Sequence, residues 1–191
     1  MSLIERMQRR FARPPEPVRV AVLASTDPDE RVLAWGTLAR EEGWLVATSR
    51  GLRIVPPQVT SVVDAEVRPW HEVALAHWTA TDDGGGSFRV VSLTEVEPGV
   101  QARGPEQRYV VTDAGDLPAA VRRRVDQTVV ASHRSPLPGG GGVLLVARRI
   151  PGEAVREWSV VFDDDERRND PVAREAARQK LADLVAADQP D

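Results

Sequence analysis

The chain contains no cysteine and a single tyrosine, and Lys180 is its only lysine. Without thiols there is no disulfide framework, no thiolate metal site and no cysteine nucleophile. It also lacks any apolar run near the roughly 20 residues that a helix needs to cross a bilayer. The opening stretch from Met1 to Arg10 is basic, with no following apolar segment of the kind a secretion signal requires. A cytoplasmic protein without a transmembrane segment is expected.

What is present bounds the class further. With 191 residues, 41% of them hydrophobic, the chain can bury one sizeable core or a core with an appended subdomain. A formal net charge of −4 disfavours nucleic-acid binding by the whole surface. Arg122, Arg123 and Arg124 are not interleaved with aromatics, and they read as the solvated face of a helix.

Hydrophobic period divides the chain. Leu3, Ile4, Met7 and Phe11 recur on one helical face within residues 1–13, and Pro14-Pro15 ends that helix. Short runs rich in Val, Leu, Trp and Thr then predict antiparallel strands over 19–23, 31–39, 44–48, 52–55, 72–81 and 88–93, with a further strand at 108–111. From Asp116 an amphipathic helix is expected, with Leu117, Val121, Val125, Val129 and Ser132 along one face. Strands over 143–150 and 157–162 should form a hairpin, and Asp170-Pro171 should open a final helix.

The stretch Trp44-Leu-Val-Ala-Thr-Ser-Arg-Gly-Leu-Arg-Ile-Val55, followed by Pro69-Trp-His-Glu-Val-Ala-Leu-Ala-His-Trp78, resembles the bacterial pleckstrin-homology-like (PH-like) domains. The resemblance covers about 19–132, and the chain as a whole is similar to uncharacterised proteins of high-GC bacteria. It implies an α+β fold: an antiparallel bent barrel of seven strands with a capping helix, used mainly for binding lipids, peptides or proteins. Three segments follow: an N-terminal amphipathic helix (1–13), the PH-like barrel and helix (18–132), and a C-terminal hairpin and helix (136–191). The last is too small to fold alone and is expected to dock on the barrel. Inositide-binding members of the family carry basic residues around the first hairpin. Here that loop is Arg40-Glu41-Glu42-Gly43, whose carboxylates would repel a phosphate.

Catalytic and metal-binding patterns fail one by one. His71 and His77 are six positions apart, not the four of a His-Glu-x-x-His zinc motif. That spacing turns them about 120° from each other on a helix, or puts them about 20 Å apart along a strand. His133 has no partner motif. A calcium loop starting at Asp163-Asp164-Asp165-Glu166 would need glycine and glutamate where Arg168 and Arg174 stand. The glycines from Gly139 to Gly142 lead into Val143-Leu-Leu-Val, a strand and not the helix of a phosphate loop. No catalytic residue, metal or cofactor is assigned.

The pattern fits a non-enzymatic binding or scaffolding module, engaging a protein partner or itself. Five tryptophans, Trp35, Trp44, Trp70, Trp78 and Trp158, suit a barrel core. Trp70, His71, His77 and Trp78 are the alternative candidates for a partner or ligand surface. Two rivals stay open: an enzyme built on His71, His77 or the aspartate cluster, and peripheral membrane contact through Leu3, Ile4, Met7 and Phe11 with Arg6, Arg9, Arg10 and Arg13 beside them.

Overall fold

A computed structural model of the chain describes residues 13–58, 66–151 and 156–188. The expected docking stripe of Leu3, Ile4, Met7 and Phe11 lies outside the described residues. The fold is α+β, with ten strands, mostly antiparallel, and four α-helices among the described residues. The chain divides into two compact units. One takes the chain up to Ser92 together with Pro105–Asp126, and the other takes Leu93–Gly104 together with Gln127–Asp191.

The first unit opens on a helix and not a strand. Residues 19–23, expected as a strand, belong to helix α1, Glu16–Leu23. Alternating valines at 18, 20 and 22 imitate a strand period. Pro15 at the N-cap and Pro17 in the first turn favour a helical start, and the residues actually buried are Val18, Ala21 and Val22, at helical spacing.

Strands β1 (Val32–Leu38), β2 (Trp44–Thr48), β3 (Gly51–Val55) and β4 (Glu66–Pro69) follow as an antiparallel meander. The next two, β5 (Val73–Ala80) and β6 (Gly86–Glu97), pair in turn. β7 (Val100–Asp113) pairs with β6 and meets β1 where Thr37 faces Asp113.

β2 is apolar without alternation because both its faces are covered. Leu45 and Ala47 enter a core with Trp70, Phe88, Leu117 and Val121, while Val46 packs with Val18 and Ala21 of α1. The β1–β2 connection turns at Gly43, whose φ of +99° suits glycine; a Cβ there would collide with the Val55 carbonyl.

Helix α2 (Leu117–Thr128) buries Leu117 and Val121 in the same core. It stops four residues short of the expected Ser132. Val129-Val130 begins β8 (Val129–Pro136), where β-branched side chains fit an extended backbone pairing with the next strand.

In the second unit β8 pairs with β9 (Gly142–Arg149), β9 with β10 (Arg156–Phe162), and β10 runs parallel to β7 at Val100 and Gln101. The β9–β10 hairpin is the one expected from sequence. A short helix, α3 (Asp165–Asn169), precedes α4 (Pro171–Asp188). Ala173 and Ala177 are buried, and their small side chains let α4 approach Val143, Leu145, Val160 and Phe162 closely.

Charge-assisted bonds hold α4 at both ends. Glu97 receives Arg174 and Arg178. Asp188 accepts from Trp158 Nε1 at 2.7 Å and from the Arg156 guanidinium. The Trp158 bond, with Arg156, holds the Asp188 carboxyl below the usual aspartate range despite some desolvation.

Candidate functional site

The four residues proposed from sequence as a surface lie in the β4–β5 turn and along β5, and have different fates. Trp70 opens a 3-10 turn, Trp70–Glu72, between β4 and β5. It is 1% exposed, its indole N–H donates to the Thr48 carbonyl at 2.9 Å, and its backbone N–H donates to the Arg50 carbonyl at 3.2 Å. It therefore stitches the β2–β3 turn to the core and offers no surface.

His71 is half-buried, with Nε2 3.9 Å from a Glu72 carboxylate oxygen. His77 is exposed on β5, in register with Arg89. Trp78 is half-buried against Phe88, the ring centroids 4.6 Å apart and tilted by 47°. Gly86 makes room for that indole, since a Cβ there would come within 2.5 Å of the ring.

The acidic turn serves the fold. Asp164 caps α3 by accepting from the Arg167 N–H at 2.7 Å, Asp163 pairs with Arg134, and Asp165 pairs with Arg168 at 3.0 Å. The glycine loop is held by Arg167, which donates to the Gly139 carbonyl. Among the described residues no three His, Asp or Glu side chains gather where they could hold a metal ion, and no helix is long and apolar enough to cross a membrane.

A polar cluster that sequence reasoning missed lies inside the first unit. Arg53 donates from Nε to Glu30 Oε1 at 2.8 Å and from Nη2 to Glu30 Oε2 at 2.6 Å, a two-point fork. The two side chains are only 7% and 1% exposed. Thr48 donates its hydroxyl to Glu30 Oε1 at 2.6 Å and accepts from the backbone N–H groups of Arg50 and Gly51. Ser25 accepts from Arg53 at 3.2 Å.

Burial raises the Glu30 pKa, but hydrogen bonds from Arg53, Ser25 and Thr48 and the Arg53 charge outweigh it, so the carboxyl lies below its ordinary range. Thr48 is 0% exposed, so its carboxylate-bonded hydroxyl cannot meet a substrate. The cluster is a clamp joining the α1–β1 connection to the β2–β3 hairpin. Its sequence signal is an arginine inside a short apolar strand, Leu52-Arg53-Ile54-Val55.

The surface feature that stands out is the outer edge of β5. Among the described residues β5 pairs with β6 alone. The Thr81 N–H donates to the Gly85 carbonyl at 3.0 Å, which fixes the phase of that ladder. Hydrogen-bonded pairs alternate in an antiparallel sheet. Thr79–Ser87, His77–Arg89 and Leu75–Val91 therefore face inward, and the backbone N–H and C=O of Ala76, Trp78 and Ala80 face the open edge.

Sheet edges are normally guarded by charge, proline, bulges or brevity. β4 is four residues long and ends in Pro69. β8 carries a register shift at Val129–Ala131 and charged Arg134, and its alternation turns Pro136, which has no N–H, to the open side. β5 spans eight residues, Val73-Ala-Leu-Ala-His-Trp-Thr-Ala80, with no acid, lysine, arginine, glycine or proline and a bulge only at its start. Leu75, near its middle, is 45% exposed. In comparisons with known protein families, with curated proteins and with solved structures, nothing matches this chain.

Proposed function

We propose that this protein is a non-catalytic binding module of PH-like architecture whose β5 edge takes a strand of a protein partner. Support for the architecture is the order of elements: two antiparallel runs, β1–β4 and β5–β7, with β1 paired to β7 and α2 directly after β7. Leu117 and Val121 of α2 lie in one core with Leu45 of β2 and Phe88 of β6, as a capping helix would.

The observation that carries the function is the unguarded β5 edge beside two guarded ones. Edge addition draws affinity from main-chain hydrogen bonds and selectivity from alternate side chains, which here are Leu75, His77 and Thr79 on the exposed face. Selection of extended peptides from a display library against the full chain tests it. Bound peptides should be lost with Ala76→Pro, which removes an outward N–H and leaves the β5–β6 ladder intact. Peptides that bind equally to the Ala76→Pro protein, or a selection that returns none, would refute the reading.

A further inference from the structure

We infer that the occupant of the β5 edge is a second copy of this chain, paired β5 to β5 in antiparallel fashion about a two-fold axis at Trp78. The inference rests on the β5 reading above and adds the identity of the partner. The outward backbone groups belong to Ala76, Trp78 and Ala80, a set symmetric about Trp78. A two-fold there brings Trp78 opposite its equivalent and Ala76 opposite Ala80. Each such pair exchanges two bonds, giving about six main-chain hydrogen bonds.

Side chains agree with that register. His77 comes opposite Thr79 of the other copy and Leu75 opposite Thr81, so no acid or base meets its like along the strand. A register that set His77 against its equivalent would oppose two like side chains, each beside the Arg89–Glu106 pair of its own copy. Trp78 is packed on Phe88 on one side and is half-buried as a residue. The two-fold sets a second indole opposite it, and cross-strand aromatic pairs are among the favourable ones.

The area is modest. A six-residue strand pair buries less than the roughly 1,000 Å² that stable complexes exceed, so the dimer should exchange with monomer.

Sedimentation velocity of the full chain, over about 1 µM to about 1 mM so as to bracket weak association, should show a monomer shifting to dimer. Ala76→Pro should remain monomeric throughout. Thr79→Lys, which keeps every backbone donor but sets the two introduced ammonium groups diagonally across the two-fold from each other, should weaken the dimer about tenfold at low salt and recover at high salt. Ser132→Pro, at the guarded β8 edge, should dimerise like the native chain.

A native chain that stays monomeric at every concentration, or a dimer indifferent to both β5 variants, overturns the inference. In the first case, peptides from the display selection that still need Ala76 would leave the binding-module reading standing. Failure of both assays would remove both.

Discussion

Arg53→Met is expected to destabilise the protein by about 3–5 kcal/mol, the usual penalty for breaking a buried ion pair from one side. The arginine is not worth that much as a net attraction. Its removal leaves the Glu30 carboxylate, 1% exposed at its side chain, with the hydrogen bonds of Thr48 and Ser25 but without its counter-charge. Urea denaturation should show the loss as a lower midpoint at unchanged slope. The double variant Glu30→Leu/Arg53→Met should recover part of it, because two apolar residues leave no orphaned charge.

The pH dependence has a definite sign. In the native chain the folded Glu30 pKa is depressed, so its stabilisation is full above the ordinary glutamate range and is lost as pH falls through the lower folded value. In Arg53→Met the dominant remaining influence on Glu30 is burial, which raises the pKa. The stability gap between native and variant should therefore narrow toward acid pH. A gap independent of pH would mean that the variant fails by repacking and not through the stranded carboxylate.

Trp70→Ala should cost a similar amount, about 3–5 kcal/mol, from the lost transfer energy of the largest fully buried side chain and the cavity left behind. Trp70→Phe separates the contributions. It keeps most of the apolar volume but leaves the Thr48 carbonyl without its indole donor, a penalty of about 1–3 kcal/mol. Because Thr48 receives Trp70 at its carbonyl and joins Glu30 through its hydroxyl, the Trp70 and Arg53 effects should not add. Denaturation midpoints for the two single variants and the double variant read that coupling directly. Strict additivity would show that the clamp and the indole are independent.

The legible parts of the sequence are those where period and punctuation agree. Trp44–Thr48 is bounded by Gly43 and by the Ser49-Arg50 turn, and the β9–β10 hairpin and α4 each have strong signals at their starts. Misreadings come where one pattern serves two periods. Valines at 18, 20 and 22 alternate like a strand yet sit on a helix begun by prolines, and Val129 and Ser132 continue a helical spacing into β8.

Of the candidate surface, His77 and Trp78 lie on β5, whose binding role is a proposal, while Trp70 is core, and nothing local separates an indole facing Thr48 from one facing solvent. Of the Glu30–Arg53 clamp the sequence shows only an arginine in an apolar strand; its partner cannot be read, since the pair joins residues 23 positions apart through pairing set by three strands and a loop. That β5 pairs with β6 alone among the described residues is likewise a property of topology. A strand of eight residues free of acids, lysine and arginine becomes an edge only by where the chain goes before and after it.

Whether the β5 edge is open and able to take a strand can be read by amide hydrogen exchange along β5, resolved residue by residue in dilute protein and again with the edge occupied. In dilute protein His77 and Thr79 should be protected by the β6 ladder, while Ala76, Trp78 and Ala80 exchange rapidly. Raising the protein concentration, or adding a selected peptide, should slow those three and leave the β8 edge unchanged. Protection of Ala76 and Trp78 already present in dilute monomer, or rapid exchange that persists at high concentration and with saturating peptide, would contradict an open, strand-accepting β5.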